Sequence, residues 1–196
     1  MPRRAFGPRI SYRNLRAERH EPSAGTERCR RAECRSVIVV RGTKKFLARV
    51  GRPSDTQLES DGQLGDWYAN AWFWRPQVAV FVNEISLVPV LLPLAPASSV
   101  LARFPSAFAQ VAGALGLPDS AIRREFSSMG VQTLAKTASR SVLGAMNEFG
   151  HLADNYRWLH DEIDLVDLAV WLSQVPCRPL FSGEGTPRDE LRARLA

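Results

Sequence analysis

The chain has 196 residues, 45% of them hydrophobic, and a formal charge of +6; its isoelectric point is near 9.8. That length suits one domain with an appendage, and the composition is that of an ordinary globular protein. No apolar run reaches the ~18 residues of a membrane span, and three cysteines, an odd number, exclude a complete intramolecular disulfide framework.

The basic excess lies in one place. Residues 1–36 hold ten arginines and four glutamates, whereas residues 37–196 hold equal numbers of basic and acidic side chains. This first segment has few large apolar residues and no sustained period, so it is expected to be disordered. Three readings fit it: a basic arm for an anionic surface, a segment with no specific role, or an over-extended start. The third draws on the excess of Arg over Lys, 23 to 3, and on a valine-rich beginning of the ordered chain near Val37. The segment lacks the apolar stretch of a secretory signal, and a cytoplasmic protein is expected.

From Val37 a single domain is expected. Val37 to Arg41 is a β-branched run and predicts a strand. Thr43 is placed to cap a helix over 44–50, which Gly51 stops. Residues 52–63 read as a loop. Leu64 to Trp74 alternates, with Trp67, Ala69, Ala71 and Phe73 on one face and Asp66, Tyr68, Asn70, Trp72 and Trp74 on the other. Strands at 77–82 and 87–92 follow as a meander, and Pro89 suggests an edge. Helical spacing predicts helices from Val100 to Leu115, with Pro105 as a kink or restart, and after Pro118. Val131 to Ala135 predicts a further strand. Helices over 139–159 and 161–175 come next, the second capped by Asp161, and one or two amphipathic turns end the chain. The fold class is therefore α+β: a small, mainly antiparallel sheet of about five strands packed by four to five helices.

No nucleophile elbow, P-loop or dinucleotide fingerprint occurs, so no cofactor is expected. Cys29, Cys34 and Cys177 lack the spacing of a zinc site, and Glu148-x-x-His151 lacks the second pair a di-iron site needs. Hence no metal is expected. His160, Asp161, Glu162 and Asp164 read as helix-capping residues.

The two strand-to-helix junctions, RGTKK (41–45) and KTASRS (136–141), carry more information. Each places cations where the helix dipole disfavours them, a penalty that a bound anion would reverse. All three lysines of the chain, Lys44, Lys45 and Lys136, fall there. Thr43, Thr137, Ser139, Arg140 and Ser141 add donors, making a candidate ligand site for a phosphate-bearing molecule, nucleic acid or an acidic group. The ordinary reading is that the lysines extend into solvent and the hydroxyls cap helices. A second candidate is the polar stripe Arg140, Asn147, His151 and Asp154 on one helix. Arg140 and Asn147 would bind substrate and His151 would move protons, oriented by Asp154; otherwise it is a solvent face. Asp66, Tyr68 and Asn70 form a further polar patch. The five tryptophans are expected in the core.

GDWYAN (65–70), FVNEISLVPVLLP (81–93) and KTASRSVLGAMNEF (136–149) resemble an uncharacterised bacterial family, a domain of unknown function. The resemblance covers roughly 37–180 and implies that members begin near Val37. Members commonly carry Asn where Ser139 stands and Asp where Glu148 stands, which weakens any role for those two side chains. The family has no assigned activity, so the resemblance implies organisation and no mechanism. On the residues alone, the leading expectation is an anion-binding or accessory module; the alternatives are a hydrolase or phosphoryl-group enzyme and a protein-interaction partner using the edge near Pro89.

Overall fold

A computed structural model describes residues 9–11, 37–54, 59–180 and 185–195. The expectations for residues 1–36, including Cys29, Cys34 and the start of translation, fall outside these residues apart from strand β1 (Arg9–Ser11). The domain proper opens with β2 (Val37–Gly42), whose VIVVRG sequence is buried along most of its length. Such a run with no polar face belongs inside a sheet covered on both sides. Thr43 then caps α1 (Lys44–Val50), its hydroxyl oxygen accepting from the Phe46 N–H. The turn between them is tight: a Cβ on Gly42 would stand 2.8 Å from the Leu47 side chain.

β3 (Trp67–Trp72), β4 (Val78–Asn83) and β5 (Pro89–Pro93) form the expected antiparallel meander. The β4–β5 turn is organised by Asn83, which is fully buried. Its amide donates to the Leu64 carbonyl at 2.7 Å, and its oxygen accepts from the Ser86 N–H and hydroxyl. α2 (Val100–Ala114) runs unbroken through Pro105, where a kink or restart is expected from sequence. α3 (Asp119–Ser128), β6 (Val131–Lys136) and the long α4 (Arg140–Leu159) follow. β7 (Glu162–Asp164) pairs parallel with β1 in a separate two-stranded ladder. α5 (Leu165–Leu172) and α6 (Pro187–Leu195) complete the chain.

The main sheet has the order β5-β4-β3-β2-β6. The α+β class and the five strands are as expected. Antiparallel pairing is carried by the meander, while β2 runs parallel to both its neighbours, β3 and β6. One face carries Trp67, Ala69 and, opposite Ala69, Phe81. There Phe46 of α1 meets Phe81 edge-on, and Phe104 of α2 stacks on Phe81 at 4.2 Å. The other face carries Tyr68, Asn70 and Trp72 and is covered by α4. The backbone N–H of Ser139, which caps α4, donates to the Tyr68 hydroxyl at 2.9 Å. α1 and α4 thus leave the same end of two adjacent parallel strands toward opposite faces, an arrangement that opens a crevice beyond the strand ends.

Three expectations are corrected. Only Trp67, Trp72 and Trp74 are core residues; Trp158 is 89% exposed and Trp171 38%. Trp158 lies near the exposed end of α4, and Trp171 on an exposed side of α5 beside Tyr156. The α5 cap is Asp164, whose carboxylate accepts from the N–H groups of Val166 and Asp167, because Glu162–Asp164 is drawn into β7 and the helix starts later than Asp161. The strand at Pro89 is at the sheet edge as expected, β5 being terminal in the order, but Pro89 to Leu92 are buried rather than exposed, with α2 and α5 packed against the strand. Among the described residues, no helix is long and apolar enough to cross a membrane.

Candidate functional site

β2 pairs with β3 only from Val40 to Gly42, opposite Trp67 to Ala69. Past that point β3 continues alone on this side. Its last ladder contact is with the α1 cap, where the Thr43 N–H donates to the Ala69 carbonyl at 2.8 Å. The bare strand edge, the start of α1 and the middle of α4 enclose a cleft of about 370 Å3. Polar groups reach it from three elements: Lys45 from α1, Asn70 from β3, and Asn147, His151 and Asp154 from α4. Trp72, Phe73, Trp74 and Met146 provide its apolar walls.

The chemistry of the cleft follows from how its polar groups are tied. The Asn70 Oδ1 accepts from the Ala71 N–H at 2.9 Å and from the Thr43 hydroxyl at 2.8 Å. A backbone N–H can only donate, so the atom it meets is the amide oxygen and the Asn70 NH2 must face away. That NH2 has no protein partner among the described residues, nor has the Trp72 indole N–H or the Lys45 ammonium, apart from the Phe73 ring 5.7 Å from Nζ. These three groups are donors only.

The one carboxylate is already engaged. Asp154 Oδ1 accepts from the Trp74 indole N–H at 2.9 Å and from Arg157 at 3.5 Å. The Arg157 guanidinium lies over the Trp74 ring at 4.4 Å. Among the described residues no hydrogen bond joins Asp154 to His151, so the expected orientation of the imidazole by this carboxylate is not found. The cleft therefore offers three groups that only donate, beside Asn147, His151 and a carboxylate with one oxygen already bonded.

The remaining candidates lie elsewhere. Lys136 is paired with Gly42, which sets the KTASRS and RGTKK junctions side by side at the carboxyl ends of β6 and β2. Lys44, Lys136 and Arg140 are exposed there and do not line the cleft. Arg140 precedes His151 by eleven residues of α4, about 16 Å along the axis. Thr137 follows β6 directly, and Ser139 and Ser141 flank the helix start, with Ser139 accepting from the Val142 N–H as its cap. Asp66 and Tyr68 do structural work. Asp66 pairs with Arg41 and accepts from the Ser60 hydroxyl. The Tyr68 hydroxyl donates to Glu84 at 3.4 Å while accepting from Ser139, and burial above all pushes its pKa up. Only Asn70 of that patch faces the cleft.

Sequence reasoning missed Phe73, Met146 and Arg157, and placed Trp72 and Trp74 in the core without a surface. The signal available was WFW at 72–74, aromatic past the end of a strand and followed by Arg75-Pro76. Cys177 is not a candidate nucleophile: burial pushes its thiol up to about 11, keeping it protonated. Among the described residues no group of three or more His, Cys, Asp or Glu is placed to hold a metal ion.

Fold and site together define an α+β domain with a mixed polar and aromatic cleft beside the carboxyl end of a parallel strand pair. The chain belongs to the family described as a domain of unknown function, DUF6933, whose model matches residues 39–190. This agrees with the resemblance carried by GDWYAN and KTASRSVLGAMNEF. No curated protein and no solved structure matches it.

Proposed function

We propose that the domain is a binding module for a small anionic ligand held in the cleft between α1, β3 and α4. One observation carries the reading: the Asn70 amide is locked with its NH2 outward, next to the unpaired Lys45 ammonium. The Asn70 NH2, the Lys45 ammonium and the Trp72 indole N–H can only donate, and are complementary to a group that only accepts, such as a phosphate or carboxylate. The size of the cleft, about 370 Å3, lies at the lower end of the ~300–1,000 Å3 range of small-molecule pockets. It suits a small phosphate- or carboxylate-bearing molecule better than a nucleic-acid chain. Lys136 and Arg140 would act from outside, through the potential at the neighbouring junction.

Thermal denaturation of the protein at constant ionic strength tests the reading. Inorganic phosphate should raise the melting temperature saturably, as a ligand binding only the native state must. Lys45→Met should remove that increment. An equal increment in the variant would place the anion elsewhere.

A hydrolytic reading has one supporting observation: His151 and Asn147 line the same cleft as Lys45. In that reading His151 acts as general base without help from Asp154, and His151→Asn abolishes turnover of a phosphate or carboxylate ester such as p-nitrophenyl phosphate while leaving phosphate binding intact.

A further inference from the structure

We infer that the anion taken by this cleft carries an aromatic ring, seated against Phe73 with its charged group on Lys45 and Asn70. The inference rests on the binding reading above and narrows its ligand class. Phe73 is 53% exposed although it sits between two buried tryptophans. Its ring has a Lys45 ammonium at 5.7 Å and an Arg49 guanidinium at 5.8 Å. These residues are four apart on α1 and so share a face. Neither forms an ion pair among the described residues; Arg49 donates to the Gln77 side-chain oxygen at 3.4 Å, and both cations lie within cation–π distance of the ring. The rim of the cleft therefore carries a half-exposed aromatic ring with Lys45 beside it, and Arg49 one helical turn further on outside the lining.

An aliphatic acid could satisfy the charges and leave Phe73 in water. An aromatic acid answers both. Its ring would meet Phe73, and its carboxylate or phosphate would face Lys45 and the Asn70 NH2, which line the same cleft. The Trp72 indole N–H remains as a further donor to the same anionic group.

The test compares matched probes on the full chain at constant ionic strength: benzoate against cyclohexanecarboxylate, and phenyl phosphate against inorganic phosphate. Affinity is read from melting temperature and from tryptophan fluorescence, since Trp72 and Trp74 line the cleft. Each aromatic probe should bind about threefold to tenfold tighter than its partner, the range of one aromatic pair. Phe73→Ala, a change at an exposed position, should cancel that preference, each aromatic probe then binding no tighter than its partner on the same variant. Equal affinity within each pair, with binding lost in Lys45→Met, would overturn the ring and leave the anion reading standing. A preference that survives Phe73→Ala would overturn the seat on Phe73. No binding of any of the four probes would overturn both readings together.

Discussion

Asn70 shows how a single amide acquires a direction. Its side chain replaces the strand that β3 loses when β2 turns into α1, by accepting the Ala71 N–H that would otherwise be unpaired. That structural task fixes which atom faces outward. Asn70→Asp keeps the accepting oxygen and turns the outward NH2 into a second, charged acceptor. The variant should fold with a stability within about 1 kcal/mol of the parent and lose anion affinity by at least about tenfold, since charged hydrogen bonds are worth ~1.5–3 kcal/mol. Isothermal titration with phosphate, alongside urea denaturation, measures both. The position is visible in the sequence as an Asn on a strand face, but its direction is not, because the N–H it caps is defined only by where the neighbouring strand ends. For the same reason the pairing of His151 with Asp154 was a fair expectation from helical spacing. Among the described residues no hydrogen bond joins them, and Trp74, eighty residues away, donates to Asp154 Oδ1 instead.

At the scale of elements, the sequence carries most of the plan. The β-branched run of β2, the Thr43 cap, the meander and the apolar stripe of α4 are local patterns, and each is found where periodicity puts it. The parallel joining of β2 to β3 and β6 was not legible. It depends on α1 and on the segment from 94 to 130 returning the chain to the same end of the sheet, and no local period encodes that. Two contacts lock these non-local steps. Tyr68 ties the start of α4 to the middle strand through the Ser139 N–H. Tyr68→Phe removes both part-buried hydrogen bonds of the hydroxyl, should cost about 1–2 kcal/mol, and should raise amide exchange first at residues 139–142. Asn83 ties the β4–β5 turn to the loop before β3, and Asn83→Ala should cost about 2–4 kcal/mol because it strands several buried groups at once. Urea denaturation with an unchanged slope would show that stability alone is affected.

For the whole molecule, the basic isoelectric point is a property of residues 1–36, while residues 37–196 are balanced. Attraction of an anion to residues 37–196 would therefore have to be local, and the Lys45 ammonium and Asn70 amide of the cleft are the groups proposed to supply it. Global stability carries a separate pH signature. Glu125 on α3 is 2% exposed, and one carboxyl oxygen has no hydrogen-bond partner. Burial pushes its pKa up against the opposing influence of Ser128 and Arg124. The native state then holds its proton to higher pH than the unfolded chain, which releases it near the ordinary value of about 4.3. Its contribution is therefore fully present below that value and is lost as pH rises through the native pKa. Glu125→Gln should flatten this part of the stability profile, matching the parent at about pH 4 and exceeding it by about 1 kcal/mol at neutral pH. Thermal denaturation across the range reads the difference.

The central claim is that the cleft beside the free end of β3 holds the anion. A nitrogen–proton correlation NMR titration of the protein with inorganic phosphate at constant ionic strength tests it most directly. The account predicts saturable shifts of the Asn70 side-chain NH2 and the Trp72 indole N–H at one common midpoint. Shifts confined to residues 136–141, or no saturable shift of either cleft signal, would contradict it.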